Sequence, residues 1–399
     1  MYLDGEDTSL RRVGRTAYPA CRKGRVPYPP PMTKARIVEI AAARPNFMKV
    51  APVHREAARS RRIEPILVHA GQHYDRLMSD VFFADLALGG PDIELGIGSG
   101  THAQQTARVL TRLEPHLAAI RPSAVLVVGD VNSTLAAALC AVKLGFPVAH
   151  VEAGLRSGDR YMPEQINRVM TDAIADLLLA PSDDAVKNLL NEGHPKERIH
   201  MVGNVMIDSL DALLPSARSS AVLNELGIER GSYFVATLHR PSNVDRGDQL
   251  EELVDVFLAV TQVKPLIFVA HPRTLAALRA NGAVQRLEGG GVRILEPMGY
   301  IEFLALEASS AAVLTDSGGI QEETTVLGIP CLTLREDTER PVTVTEGTNL
   351  VVGRDKEAIL DALGRIASGA WGGPRRPRLW DGRTARRIVR ILEESYGCP

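Results

Sequence analysis

From Lys34 onward the apolar residues fall into short, β-branched runs separated by longer stretches in which apolar and polar positions recur with helical spacing. In the first half the runs are ARIVEI (35–40), PILVHA (65–70), AVLVVG (124–129), PVAHV (147–151), DLLLA (176–180) and IHMVG (199–203). The second half repeats the plan with SYFVATL (232–238), LIFVA (266–270), VRILE (292–296), AAVLT (311–315), PCLTL (330–334) and NLVVG (349–353). Strand-like runs alternating with helical patterns predict βαβ units and parallel sheets. The runs are apolar throughout rather than alternating, which predicts strands covered by helices on both faces. The expected fold is therefore α/β, with two doubly wound parallel-sheet domains at 35–208 and 209–380 and a hinge near 205–230. The amphipathic stretch from Thr384 to Tyr396, within a terminal segment 381–399, either closes the second domain or crosses back onto the first. Residues 1–34 are rich in arginine and proline and show neither period, so they are read as an extension outside the fold, either a flexible tail or the product of an upstream start with Met32 as the natural first residue, in preference to a targeting arm.

Composition narrows the class. A chain of 399 residues, 45% hydrophobic, exceeds one ordinary domain and suits two cored domains with a cleft between them. With 46 basic against 48 acidic residues there is no global field to attract nucleic acid or an anionic membrane, so an anionic ligand must be met locally. No apolar run approaches the roughly 18 to 20 residues of a membrane span. Cys21, Cys140, Cys331 and Cys398 are too far apart for a C-x-x-C pair, which predicts reduced thiols and a soluble, cytoplasmic protein. No G-x-x-x-x-G-K-[ST] occurs, and the first strand is not followed by G-x-G-x-x-G, so neither ATP hydrolysis nor a nicotinamide cofactor is signalled. The glycine-rich run Gly96–Gly100 reads as a loop. The ten histidines show no H-E-x-x-H spacing, and no metal or other cofactor is expected.

In doubly wound sheets ligands bind beyond the carboxyl ends of the strands. There the first half carries Arg44 and Lys49, then Gly129-Asp130, then His150-Val151-Glu152. The second half carries His239-Arg240, His271-Pro272-Arg273, and Asp316-Ser317-Gly318-Gly319 followed by Glu323. A strand feeding a helix through Ser317-Gly318-Gly319 is an anion site in waiting, because unsatisfied N–H groups and the positive end of the helix point at whatever sits there. The plainer alternative is an N-cap serine in a tight turn. Glu323, about one and a half turns into that helix, suits the two hydroxyls of a ribose.

The strings ARPNFMKVAPV (43–53), GQHYD (71–75), GDVNST (129–134), HVEAGLRSGDR (150–160), PEQINR (163–168), GNVMID (203–208), TLHRPSN (237–243), TDSGGIQEE (315–323) and TERPVTVTEGT (338–348) resemble the non-hydrolysing UDP-N-acetylglucosamine 2-epimerases, in family order from about 36 to 380. The resemblance implies two Rossmann-like domains in a glycosyltransferase-B arrangement, a homodimer, and a UDP-sugar substrate held mainly by the C-terminal half. It implies reversible epimerisation through loss and re-addition of UDP, supplying cell-envelope polysaccharide synthesis. The proton on the acetamido-bearing carbon is weakly acidic, so its removal is coupled to departure of UDP. That chemistry needs a base on one face, an acid on the other, and donors at the diphosphate.

By resemblance the acid/base set is Asp130, Glu152 and Glu164. Arg44, Lys49, His239 and Arg340 meet diphosphate or substrate, and His239 assists the leaving group. Phe303 borders the uracil or is simply core. Local pairing offers other readings: Asp130 as a helix N-cap, Glu152 paired with Arg156, and Arg168 either orienting Glu164 one turn away or pairing with it on the surface. Two departures stand out. Ala42 replaces the family's glycine before the first motif, and the segment between Asp159 and Glu164 is short and followed by Gln165, so activation by substrate is not predicted. A related UDP-acetamido sugar, a hydrolysing epimerase, a two-domain glycosyltransferase and a non-catalytic sugar-nucleotide binding module are the competing readings.

Overall fold

The computed structural model describes residues 34–42, 44–71, 88–371 and 376–397, with the side chains of Arg44, Pro45 and Pro241 excepted. The N-terminal extension, most of the GQHYD string, Cys21 and Cys398 lie outside the described residues. Cys140 and Cys331 are buried free thiols.

Each of the apolar runs carries a strand. The first sheet holds β1 (Ala35–Ala41), β2 (Ile63–His69), β3 (Ile93–Glu94), β4 (Ala124–Val128), β5 (Val148–Val151), β6 (Leu177–Ala180) and β7 (Ile199–Met201), in the order β3-β2-β1-β4-β5-β6-β7. The second holds β8 (Phe234–Thr237), β9 (Leu266–Val269), β10 (Val292–Leu295), β11 (Ala312–Thr315), β12 (Cys331–Thr333) and β13 (Asn349–Val351), in the order β10-β9-β8-β11-β12-β13. Every pairing is parallel. The pattern did not announce β3, a two-residue edge strand whose side chains are largely exposed and which therefore leaves no apolar run. Residues Gly96–Gly100 form a loop, as expected.

Both sheets are Rossmann-like, and strand order reverses between β1 and β4 in one and between β8 and β11 in the other. Crevices open at such switch points, beyond the carboxyl ends of the strands. The two crevices face each other across a cleft, the glycosyltransferase-B arrangement, and contacts cross it: Asp337 accepts from the Gly158 amide at 3.2 Å and the Ser157 hydroxyl at 3.3 Å.

The helix Val205–Arg218 links the sheets. It packs on the helix Arg44–Ala58 on one side and on the helices Tyr300–Ser309 and Gly318–Leu327 on the other. One apolar cluster runs from Ile37 and Phe47 through Ile207 and Leu210 to Val235 and Val313, so the core is continuous across this helix. After the second sheet the chain returns to the first. Trp380 Nε1 donates to the Pro181 carbonyl at 3.0 Å, and Asp208 accepts the Thr384 and Ala385 amides at 3.1 and 2.8 Å. Asp208 thereby caps the helix Thr384–Tyr396, which rests on the helices Arg44–Ala58 and Val205–Arg218. No described helix is long and apolar enough to cross a membrane.

Candidate active site

At the first switch point β4 is followed by Gly129 with φ +72°, a conformation open to glycine. A Cβ there would stand 3.3 Å from Asn46 Nδ2, 3.5 Å from Glu152 Oε2 and 3.6 Å from Lys49 Nζ, so glycine also leaves room for the charges around it. Asp130 follows. Its Oδ2 accepts Arg168 Nε at 3.0 Å and a terminal guanidinium nitrogen at 2.5 Å, while Asn167 Nδ2 holds its backbone carbonyl at 2.8 Å. Burial acts to raise the Asp130 carboxyl, but Arg168, Lys49 and Arg340 outweigh it and hold the group below its ordinary value. Asp130 is not an N-cap: the helix Asn132–Lys143 begins after Val131 and has no side-chain cap.

Glu152 follows β5 and is buried. Its Oε2 lies 2.5 Å from Lys49 Nζ, and its Oε1 has no partner among the described residues. Its φ of +70° is strained for a residue with a Cβ and re-aims the side chain toward β4. The pairing with Arg156 does not form. Arg156 turns away to Asp172 at 2.8 Å and to Glu192. Beneath both loops His150 is fully buried, with Nδ1 2.6 Å from Asp172 Oδ1 and Nε2 2.8 Å from the Gly129 carbonyl. Both ring nitrogens thus face acceptors, and the ring ties the loop of Asp130 to that of Glu152. Burial acts to raise Asp172, but His150 and Arg156 hold it below its ordinary value.

Glu164 sits half-buried in the first turn of the helix Pro163–Ile174 and makes no hydrogen bond or ion pair among the described residues. The expectation that Arg168 orients Glu164 is corrected. Arg168 reaches across to Asp130, and also comes within 4.0 Å of Glu339 from the other half. Arg44 opens the helix that carries Lys49, and its side chain lies outside the described set.

At the second switch point Asp316 is fully buried and accepts four donors: the His239 amide at 3.1 Å, the Arg240 amide at 3.0 Å, Asn243 Nδ2 at 3.1 Å and His239 Nδ1 at 2.7 Å. Burial opposes ionisation of Asp316, and these contacts win, leaving it below its ordinary value. The half-exposed His239 ring lines a cavity of about 270 Å³ together with Val269, Met298, Phe303, Ser317 and Ile320. Phe303 therefore both packs on the core and walls the cavity. Ser317 precedes the helix Gly318–Leu327, but its side chain makes no capping bond, which leaves the first-turn N–H groups uncapped by it. A Cβ on Gly318 would stand 3.2 Å from the Arg340 guanidinium carbon. Arg340 is buried there with Nε 2.7 Å from Glu322 Oε1. Burial works against its charge, but Glu322, Glu339, Glu152 and Asp130 raise it above its ordinary value. Glu323, also buried, accepts the Tyr300 hydroxyl at 2.8 Å.

The fold thus gathers Lys49, Asp130, Glu152, Arg168 and Arg340 into one charge network, sets His239, Phe303 and Ser317 around a neighbouring cavity, and leaves Glu164 outside both. Sequence reasoning missed Glu322, and Glu339, whose carboxylate takes Arg335 at 2.7 Å and Arg240 at 3.1 Å. It also missed the His150–Asp172 clamp. Glu322 and Glu339 each adjoin a chosen residue, Glu323 and Arg340, so pairing within the TDSGGIQEE and TERP strings was the available signal. The network provides carboxylates able to exchange protons, held among cations able to receive phosphate.

The profile of the UDP-N-acetylglucosamine 2-epimerase family matches residues 55–393. The UDP-N-acetylglucosamine 2-epimerase of Methanocaldococcus jannaschii is 42% identical over 367 residues, 90% of this chain and 98% of that protein. The UDP-2,3-diacetamido-2,3-dideoxy-D-glucuronate 2-epimerase of Pseudomonas aeruginosa is 41% identical over 330 residues, 82% of this chain and 91% of its own length. The crystal structure of the M. jannaschii enzyme in complex with UDP-GlcNAc and UDP superposes with a TM-score of 0.82, covering 90% of this chain and 99% of that one. Similarity of this extent, spread over both sheets and the cleft between them, shows that the chain belongs to the UDP-N-acetylglucosamine 2-epimerase family and is an epimerase.

Proposed function

We propose that this enzyme interconverts UDP-N-acetylglucosamine and UDP-N-acetylmannosamine by elimination and re-addition of UDP. A carboxylate takes the proton from C2 while the C1–O bond breaks. The C–H electron pair becomes a C1=C2 double bond, and UDP leaves with the C–O pair. Protonation of C2 on its opposite face, as UDP adds back to C1, completes the inversion with no net oxidation. The observation that carries this reading is the single buried network in which Lys49 and Arg340 connect Asp130 and Glu152 to the helix N-terminus at Gly318.

In this reading Asp130, Glu152 and Glu164 form the acid/base set, with Arg168 holding Asp130. Arg44, Lys49, Arg340 and the Ser317-Gly318-Gly319 amides take the diphosphate, and His239, fixed by Asp316, meets the leaving oxygen. Phe303 walls the uracil site and Glu323 accepts the ribose hydroxyls. The first domain, 35–208, supplies proton transfer and the second, 209–380, holds UDP. Two copies pair through the exposed apolar side chains of Val142, Ile166, Val169 and Met170 on adjoining helices. The enzyme works in the cytoplasm and feeds polysaccharide synthesis.

A second reading is favoured by one observation: the P. aeruginosa relative that acts on a diacetamido uronic acid is nearly as similar as the M. jannaschii one. Proton NMR of the purified protein with UDP-N-acetylglucosamine in deuterated water separates the cases. Mannose-configured UDP sugar with deuterium at C2 in both epimers is the expected result. Free N-acetylmannosamine with UDP indicates hydrolysis instead. No turnover moves the assignment to the diacetamido substrate or, if that is inert too, to a transferase.

A further inference from the structure

Behind the second-half site lies a group that the proposed reaction does not use. Glu307, on the helix Tyr300–Ser309, is fully buried, and neither carboxyl oxygen has a hydrogen-bond partner among the described residues. The side chain it lies against is the carboxyl of Glu323, on the packed helix Gly318–Leu327, which is an acceptor as well. Two carboxylates in contact offer only acceptors and repel at low dielectric. One proton turns the clash into an O–H···O⁻ bond and gives the buried oxygens the partner they otherwise lack. Glu323 retains 4% exposure and Glu307 none, so the pair meets the cleft through Glu323.

We propose that Glu307 is a positioning residue for the nucleotide: as the carboxylic acid it donates its proton to Glu323 and, with the Tyr300 hydroxyl, fixes that carboxylate as acceptor for the ribose hydroxyls. This rests on the ribose reading of Glu323 given above. Burial and the adjacent Glu323 push Glu307 well above the ordinary carboxylate range. Burial likewise raises Glu323 to about 7, against the lowering contacts of Glu307 and Tyr300. The titratable groups facing the pair are Tyr300, Glu322 with its partner Arg340, and Cys331 of β12, whose thiol burial pushes up to about 12. The packed helix Val205–Arg218 commits Asp208 to the C-terminal helix, and Glu225 of the helix Val222–Leu226 is exposed.

Ribose hydroxyls donate to the ionised form of Glu323. UDP affinity therefore weakens as pH falls through about 7, and UDP binding just below that pH releases a proton. Titration calorimetry with UDP on the full-length protein, across pH and in buffers of different ionisation enthalpy, tests this. Glu307→Gln keeps a donor and is expected to retain the wild-type dissociation constant and pH midpoint. Glu307→Leu loses it, and is expected to weaken UDP binding about tenfold at neutral pH and move the midpoint upward, with KM rising and kcat preserved. Wild-type binding without proton release overturns the proposal even if neither variant folds. So does a Leu variant that binds as wild type, or a Gln variant as impaired as Leu. If Glu323→Gln binds UDP normally, the ribose reading itself fails; if Glu323→Gln is weakened and Glu307→Leu is not, only the role of Glu307 fails.

Discussion

The two switch points share a topology and differ in what fills them. At the first, between β1 and β4, the loops carry charged side chains in tight pairs and a strained glutamate. At the second, between β8 and β11, a helix N-terminus and an apolar-walled cavity sit beside a carboxylate saturated with four donors. The lesson is that one fold, used twice, separates chemistry from anchorage. In the proposed function, proton-exchanging groups stand where partners can tune them, and the nucleotide is assigned to the rim where backbone amides and an apolar wall can hold it.

Removing the charge of Glu152 breaks that division most severely. Glu152→Gln is expected to lower kcat by about 10²–10⁴-fold while UDP binding changes by no more than a few-fold. Equal losses in rate and UDP affinity would mean that the two rims do not divide the work. His150→Phe comes next, because it leaves Asp172 and the Gly129 carbonyl without their shared partner. Urea unfolding should show a loss of about 3 kcal/mol, and kcat should fall further than UDP affinity. A stable variant with normal kcat would show that the clamp is not what aligns Asp130 with Glu152. The smallest effect is expected at the other rim. Gly318→Ala places a Cβ 3.2 Å from the Arg340 guanidinium carbon, so the arginine must give way, and UDP binding should weaken about fivefold with kcat little changed. Unchanged affinity would remove Arg340 from the diphosphate site.

Much of the frame was legible in the chain. Continuous apolar runs ending in glycine or in a polar cluster mark buried parallel strands because both faces of such strands are dry. The exception, β3, buries too little to leave a mark. The candidate positions were legible for the same reason, since the strand ends are where a doubly wound sheet opens, and polar or charged residues placed there stand out against apolar neighbours. The pairing of charges was not legible. Short-range rules offered Glu152 with Arg156 and Arg168 with Glu164, four residues apart in each case. The molecule instead joins Glu152 to Lys49 and Arg168 to Asp130, 103 and 38 residues away.

The sequence by itself determined the two parallel sheets, the strand ends that carry the site and the family likeness, because these follow from local periodicity and contiguous strings. Only the tertiary structure decided that β1 lies beside β4 and so brings Lys49 to Glu152, that the C-terminal helix returns to the first sheet, and that Glu307 lies against Glu323 with no donor to its oxygens among the described residues. Each depends on which elements become neighbours, and that order is set by packing the whole core at once rather than by any segment's own preference.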